Sequence, residues 1–298
     1  MSYQKVFRLA SQGSHHNIQS HSEPIPTIDA HEILVKICGL ALNYRDLAIT
    51  NGTYPFPVKD NVIPCSDAAG EKDWDHGHGS PVDGFLREYA VLPAYSVIKV
   101  PDGARLSFTQ IAALVCTDCS LPRYRGVSVT VLILAKAAGA QTIITSSSDD
   151  KLTIVQKKYH PDHVINYKTT PNWADEAKRL NGGEGVDYIF ENGGSGTIGQ
   201  SIECTKMEGS IAVIGFLSAA KQEDMPDVAG LALSKGCFVI GITVGSKQLL
   251  KESINFIVSK GLQPPVEKSF KLSVEGVTAA YDYIQGGSHI GKICIDVD

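Results

Sequence analysis

The second half of the chain alternates regularly between helical and strand-like patterns of apolar residues. Apolar positions at helical spacing predict helices at 127–138, 149–159, 172–180, 197–206, 228–235, 247–259 and 271–285. Short β-branched runs predict strands at 141–145, 163–166, 186–191, 210–216, 237–243 and 291–297. Such alternation favours a parallel sheet covered by helices on both faces.

The first half is less regular. Residues 1–30 are polar and irregular, while alternating positions predict strands at 31–38, 86–92 and 96–100. Residues 43–50 are compatible with a short helix. A further helix is predicted from Ser107, because Ser-Phe-Thr-Gln resembles a capping box.

The segment from Gly126 to Lys151 is typical of a dinucleotide-binding unit. A glycine at the start of a helix lets the N–H groups of the first turn, here Gly126, Val127 and Ser128, approach a pyrophosphate. The next strand ends at the adenine ribose, where an acidic residue would bind the 2′-hydroxyl of NAD.

That position carries hydroxyl groups and a positive charge instead, from Ser146, Ser147 and Lys151. Donors and a cation suit a 2′-phosphate, so the cofactor predicted is NADP(H). A helix N-cap cluster on a solvated surface explains the same residues, and both interpretations can hold at once.

Composition and charge exclude several classes of protein. The chain is 43% apolar and 20% charged, which is ordinary for a globular protein. Its 298 residues exceed the usual length of one domain. A net charge of −5 without a basic run argues against nucleic acid, and no apolar segment reaches membrane-spanning length. Residues 1–10 do not resemble a signal peptide, and seven scattered cysteines are typical of reduced thiols, so we expect a cytoplasmic protein.

Several segments together resemble the medium-chain dehydrogenase/reductase superfamily. They are Leu-Asn-Tyr-Arg-Asp at 42–46, Pro-Cys-Ser-Asp-Ala-Ala-Gly-Glu at 64–71, Asp-Gly-Phe-Leu-Arg-Glu-Tyr at 83–89, and residues 126–148, 162–167, 213–216 and 289–292. The similarity extends from about residue 34 to the end. It is strongest to the zinc-free quinone oxidoreductases and to fungal zinc-type alcohol dehydrogenase-like proteins.

The resemblance implies an α/β fold with three parts. A GroES-like β-barrel substrate domain at 1–116 is followed by a Rossmann-like NADP-binding domain at 117–261, and residues 262–298 return to the first domain. The active cleft is expected between the two domains. Family members often dimerise through an edge strand, which here corresponds to 237–243.

The chain departs from the family pattern twice. After Glu71 the expected barrel strands are replaced by Lys-Asp-Trp-Asp-His-Gly-His-Gly-Ser, so the barrel is predicted to be truncated near 71–80. Before Gly126 only 118–125 stand where the first, central strand of the parallel sheet belongs, and Pro122, Arg123 and Arg125 do not suit a buried strand. A deletion in the gene or a misread exon boundary would produce this pattern.

Zinc is not expected. The resemblance places Asn43, Ser66 and Cys116 at the ligand positions of zinc-dependent relatives, and a single thiol cannot hold a catalytic zinc. Cys116 and Cys119 form a C-x-x-C without a second pair, which favours incidental thiols. The residues Asp73, Asp75, His76 and His78 could capture a metal, but a solvated loop is the favoured interpretation.

Other candidate residues follow from the family match. Gly-Ser-Gly-Thr-Ile-Gly at 194–199 is a literal dinucleotide motif, but the following strand does not end in ribose-binding residues, which favours a later strand-to-helix turn. The resemblance implies further cofactor contacts at Tyr167, Asn192, Gly193, Gly215, Phe216, Gly245 and Lys292.

Two residues are candidates for the chemistry. Asn43 would orient the substrate oxygen and Tyr54 would bound the pocket, while Asp46 fixes the local backbone. A turn followed by a core aromatic, Tyr44, explains the same segment. The resemblance implies hydride transfer from NADPH to a quinone or an α,β-unsaturated carbonyl, with a water or phenol as the proton donor. The alternative is a catalytically silent or cofactor-deficient family remnant that acts as an interaction protein.

Overall fold

The structure is a computed structural model that describes residues 2–67, 79–114, 125–215, 218, 220–242 and 245–297. Its strands are β1 (Tyr3–Leu9), β2 (Ile18–Pro24), β3 (Glu32–Lys36), β4 (Gly39–Leu42), β5 (Tyr89–Pro93), β6 (Ile143–Ser146), β7 (His163–Asn166), β8 (Val186–Glu191), β9 (Thr205–Val213), β10 (Phe238–Gly241), β11 (Val266–Lys271) and β12 (Lys292–Asp296). Its helices are α1 (Tyr44–Thr50), α2 (Phe108–Leu114), α3 (Arg125–Ala137), α4 (Asp149–Tyr159), α5 (Trp173–Leu180), α6 (Ile198–Cys204), α7 (Val228–Lys235), α8 (Lys247–Lys260) and α9 (Val274–Gly286).

The chain divides into two units, one formed by Met1–Asp118 with Val244–Asp298 and the other by Cys119–Thr243. The first boundary lies close to the predicted one after residue 116. The second falls well before the predicted 261, because α8 belongs with the first unit. There the Lys247 ammonium donates to the backbone carbonyl of Tyr95.

The first unit is built from short sheets around one apolar core. Strands β1 and β2 pair as an antiparallel hairpin, β3 pairs with β5, and β12 lies between β11 and β4. Its largest buried side chains include Phe7, Leu40, Ile49 and Tyr281. The hairpin falls in a region predicted to be irregular, because every residue of β2 after Ile18 is at least partly exposed and polar side chains fill most of it.

The second unit holds the predicted alternation of strands and helices. Its parallel strands form two sheets in the described residues, β6 with β7 and β8 with β9 and β10. Of residues 118–125, which stand where the first strand is expected, 118–124 lie outside the described residues and Arg125 begins α3.

One face of the larger sheet carries an exposed apolar row. The register places Tyr188 of β8 and Phe238 of β10 on either side of Ser210 in β9. These two aromatic side chains are 74% and 58% exposed. Parallel sheets are normally covered on both faces, so this exposure is unusual for such a strand arrangement.

Helix ends follow the local sequence closely. The predicted capping box is confirmed, since Ser107 N donates to Gln110 Oε1 at 2.9 Å and Gln110 N donates to Ser107 Oγ at 3.2 Å. Helix α4, predicted to begin at residue 149, is capped by Ser148, whose hydroxyl accepts from Lys151 N. The strand predicted at 96–100 is absent, and Ala94–Ser96 form a 3₁₀ turn instead.

Five cysteines are free thiols in the described residues: Cys38, Cys65, Cys204, Cys237 and Cys294. Burial raises the pKa of Cys204 and that of Cys294 to about 12 each, so both stay protonated and unreactive near neutral pH. No helix within the described part of the chain combines the length and apolar character that a membrane crossing requires.

Candidate functional site

A lysine, an aspartate and an asparagine form a closed buried cluster in the first unit. Strand β12 runs antiparallel to β4 with Ile293 opposite Leu42, which brings Lys292 beside Asn43. Lys292 Nζ donates to Asn43 Oδ1 at 2.7 Å and lies 3.3 Å from Asp67 Oδ2. The Asn43 amide donates in turn to Asp67 Oδ1. The Lys292 side chain is 2% exposed, so opposite charges balance inside the protein.

Asn43 and Tyr54, the two residues predicted to take part in the reaction, lie in different environments. The Asn43 side-chain amide is engaged on both its oxygen and its nitrogen by Lys292 and Asp67. Tyr54 lies on the loop after α1, where Arg45 Nε donates to its phenol oxygen at 2.9 Å and the guanidinium carbon lies 5.1 Å from the ring centroid.

The backbone around Asn43 is held as expected. Asp46 Oδ2 accepts a hydrogen bond from Asn43 N at 2.7 Å, which confirms the predicted role of Asp46 in fixing the start of α1. Tyr44 packs against the apolar core, as the alternative interpretation of this segment expected.

Two of the three expected zinc positions, Asn43 and Ser66, lie in the described residues and offer neutral side chains. Asn43 offers a neutral amide that already binds an ammonium group, and that positive charge opposes a second cation. Ser66 offers a neutral hydroxyl, and zinc prefers thiolate, imidazole or carboxylate ligands. Burial, assisted by neighbouring carboxylates, raises the pKa of the Cys65 thiol, so it does not supply a thiolate.

In the second unit, part of the predicted cofactor set converges at the carboxyl ends of β8 and β9. Asn192 Nδ2 donates to Ser128 Oγ at 3.0 Å. A Cβ at Gly215 would lie 3.1 Å from the Asn192 carbonyl oxygen, so glycine permits this close approach. Gly126 and Val127 lie in the first turn of α3, where N–H groups lack intrahelical partners and can bind a phosphate.

The predicted ribose-binding residues gather at the ends of β6 and β7. Tyr167 N donates to the Ser146 carbonyl at 3.1 Å, and Ser146 Oγ accepts from Ser148 N at 3.3 Å. Ser147 is half-buried, and Lys151 lies in the first turn of α4. The end of the strand and the start of the helix thus bring Ser146, Ser147 and Lys151 into one strand-to-helix turn.

The hydrogen-bond donors of the Gly-x-Gly-x-x-Gly turn bind the side-chain carboxylate of Glu191. Glu191 Oε1 accepts from Gly193 N at 2.5 Å, from Gly194 N at 3.1 Å and from Thr197 Oγ1 at 2.7 Å. The other carboxylate oxygen accepts from the Ser201 hydroxyl. Because these donors already bind an internal anion, the geometry favours the later-turn interpretation of this motif over a pyrophosphate site.

The remaining predicted positions are dispersed. Gly245 is exposed and precedes Ser246, whose hydroxyl caps α8 by accepting from Leu249 N. The predicted residues outside the described part of the chain are Phe216, Cys116, Cys119, Asp73, Asp75, His76 and His78.

Sequence reasoning missed two buried acids, Asp67 and Glu191. The role of Asp67 depends on Lys292, which lies 225 residues away in sequence, so no local pattern could reveal it. Glu191 did leave a local signal, because an acid that ends an apolar strand directly before a glycine turn can reach the N–H groups of that turn.

Removing the Lys292 ammonium should leave a buried, uncompensated carboxylate. We expect Lys292→Met to lower the free energy of unfolding by about 3–5 kcal/mol, measured by urea denaturation. The double variant Lys292→Met with Asp67→Asn should be more stable than Lys292→Met alone. Lys99→Met is the control, because Lys99 and Asp102 form an exposed pair whose loss should cost less than about 1 kcal/mol. Additive effects in the double variant would show that the two buried charges do not depend on each other.

Replacing Glu191 by glutamine should disrupt the hydrogen bonds between this side chain and the glycine turn. In Glu191→Gln an acceptor oxygen is lost and an NH₂ group can face the amide donors, so we expect the free energy of unfolding to fall by about 2–4 kcal/mol. Glu184→Gln, at an exposed position in the loop between α5 and β8, should change the free energy of unfolding by less than about 0.5 kcal/mol. Equal stability of the two variants would contradict a structural role for the Glu191 carboxylate.

Known proteins resemble this chain over most of its length. Residues 126–259 match the family model described as zinc-binding dehydrogenase. A zinc-type alcohol dehydrogenase-like protein of Schizosaccharomyces pombe is 34% identical over 320 residues, covering 90% of this chain and 91% of that protein. The aligned stretch is longer than this 298-residue chain, so the relative carries residues that have no counterpart here.

More distant proteins share the fold. An acryloyl-coenzyme A reductase of Sulfurisphaera tokodaii is 23% identical over 331 residues, covering 91% of this chain and 94% of that protein. Two solved structures superpose on nearly the whole chain. An NAD-dependent alcohol dehydrogenase has a TM-score of 0.82 at 22% identity and covers 99% of this chain and 100% of its own. A 2-haloacrylate reductase has a TM-score of 0.77 at 20% identity and covers 98% of this chain and 99% of its own.

The fold is therefore that of Rossmann-like and GroES-like dehydrogenases, and the relative of more than 30% identity spans most of both chains. The chain belongs to the medium-chain dehydrogenase/reductase superfamily of oxidoreductases.

Proposed function

We propose that the protein is a zinc-independent, NADPH-dependent reductase of α,β-unsaturated carbonyl compounds. The observation that carries the proposal is the Lys292–Asp67–Asn43 cluster, in which a balanced ion pair lies beside the first expected metal-ligand position. Without a metal, a substrate oxygen must be polarised by hydrogen-bond donors. A conjugated alkene accepts hydride at carbon under these conditions more readily than an isolated ketone does.

The relatives support this substrate class. The acryloyl-coenzyme A reductase and the 2-haloacrylate reductase are each named for an alkene activated by a neighbouring carbonyl group. Quinones are also conjugated carbonyl compounds, and they remain the second acceptor class of the proposal.

The second unit supplies the proposed cofactor contacts. The first turn of α3, Gly126 to Ser128, would receive the pyrophosphate, and Asn192 and Gly215 would lie toward the nicotinamide. Lys151 and the hydroxyl groups of Ser146 and Ser147 would bind the 2′-phosphate, which favours NADP(H) over NAD(H).

Tyr54 is the proposed proton donor. Reduction of the alkene requires a hydride at the β-carbon, which the nicotinamide supplies when bound, and a proton at the α-carbon. Loss of the phenol proton leaves negative charge on the Tyr54 oxygen, which the Arg45 guanidinium balances from 2.9 Å. Solvent then returns the proton to Tyr54.

The alternative is a cofactor-deficient family member that acts as an interaction protein. The observation that favours it is the presence of two parallel sheets, rather than one, among the described residues of the second unit. NADPH binding separates the two functions, because only the reductase requires it. A cytoplasmic location and a homodimer remain predictions.

Cofactor selectivity should depend on Lys151. We expect Lys151→Ala to raise the Kd for NADPH about tenfold, through loss of one charged phosphate contact, while the Kd for NADH changes little. Lys157→Ala is the matched control, because Lys157 is exposed near the other end of the same helix. Titration by nicotinamide fluorescence measures both constants. Failure of the unaltered protein to bind NADPH would favour the cofactor-deficient alternative.

Turnover should depend on the Tyr54 hydroxyl. We expect Tyr54→Phe to lower kcat at least about 100-fold with an acryloyl thioester as substrate, without changing the Kd for NADPH. Tyr95→Phe, which removes the hydroxyl of an exposed tyrosine in the same unit, should leave kcat unchanged. NADPH consumption followed by absorbance gives the rate, and a quinone assayed in parallel tests the second acceptor class. Full activity of Tyr54→Phe would exclude the phenol as proton donor.

A further inference from the structure

Three potential metal ligands from opposite ends of the chain converge in the first unit. His15 and His16 lie on the 3₁₀ turn between β1 and β2, and Asp282 lies on α9. Asp282 Oδ1 is 2.8 Å from His15 Nε2 and 3.7 Å from His16 Nε2. Each residue offers one ligand atom, and these atoms all lie within 4.8 Å of one another.

The elements that carry these residues are fixed by packing. Ser14 Oγ accepts from His16 N at 3.2 Å at the start of the turn. The buried His15 ring stacks on Tyr281, with centroids 5.8 Å apart and planes inclined by 13°. Tyr281 is fully buried in the core and directly precedes Asp282, so the turn and the helix are held in one relative position.

The two distances from Asp282 to the histidines are close to those between ligand atoms around a first-row divalent cation. Zinc binds imidazole nitrogen and carboxylate oxygen at about 2.0–2.2 Å, which separates ligand atoms of a tetrahedral shell by roughly 3.4 Å. The two nitrogen–oxygen distances here, 2.8 and 3.7 Å, lie on either side of that value. His16 and Asp282 are 60% and 54% exposed, so an ion can enter from solvent and water can complete its coordination.

We propose that His15, His16 and Asp282 form a binding site for a divalent transition-metal cation, with zinc as the representative ion. The two imidazole ligands select this class of metal over magnesium or calcium, which prefer oxygen ligands. The bound ion would link the turn near the N-terminus to the C-terminal helix α9. The site shares no residue with the Lys292 cluster, so it is independent of the proposed reductase activity.

The experiment titrates the metal-free full-length protein with Zn²⁺ by calorimetry, and with Co²⁺ by visible absorption. We expect His16→Ala and Asp282→Asn each to remove one zinc ion per chain, or to weaken its binding at least tenfold, and to lose the Co²⁺ absorption of a nitrogen- and oxygen-ligated site. Zinc should also raise the Tm of the unaltered protein more than that of either variant.

His21→Ala is the matched control, because His21 is an exposed histidine on the neighbouring strand β2. It should bind zinc as the unaltered protein does. Cysteine thiols also bind zinc, so the difference in stoichiometry between proteins decides the result. Equal zinc binding by the unaltered protein, His16→Ala and Asp282→Asn would overturn the proposal. So would no binding at millimolar zinc, since His15 and Asp282 would then form only a hydrogen-bonded pair.

Discussion

The buried contact between Lys292 and Asp67 constrains the first unit more than any other interaction described above. A lone charge in a protein interior costs several kcal/mol, so each of these groups requires the other. Lys292 lies on the last strand, and it reaches Asp67 only when β12 is in register with β4. The two ends of the unit must therefore pair before the charges are balanced. The same ammonium group places a positive charge beside Asn43, so this interaction supports the fold and also opposes the binding of a cation by that side chain.

Sequence periodicity predicted the second unit well, because each helix and strand there is an apolar segment bounded by a local signal. Strand β8 and helix α7 match their predicted ranges, and Gly236 ends α7 in the left-handed conformation expected of a helix stop. The first unit was harder to predict. Most of β2 is exposed and polar, so its place in a hairpin depends on pairing with β1 rather than on its own pattern.

The candidate site shows the same division between local and distant information. Ser146, Tyr167 and Lys151 could be placed together from sequence, because the ends of neighbouring parallel strands meet at one edge of a sheet. The engagement of Asn43 could not be foreseen, since both of its side-chain partners come from distant segments. Glu191 is intermediate, because its partners Gly193 and Gly194 are local but the motif they belong to resembles a phosphate site.

Two helix starts in the second unit illustrate how an anion-binding turn can serve either structure or ligand. Before α6 the amide donors are satisfied by the Glu191 carboxylate, so that turn is complete without a ligand. In the proposed function the first turn of α3 receives its anion from the cofactor instead. The cofactor would then contact both parallel sheets, through Ser146 at the end of β6 and Asn192 just after β8. A ligand that binds only the folded unit stabilises it. Changes that destabilise either sheet should therefore also weaken cofactor binding.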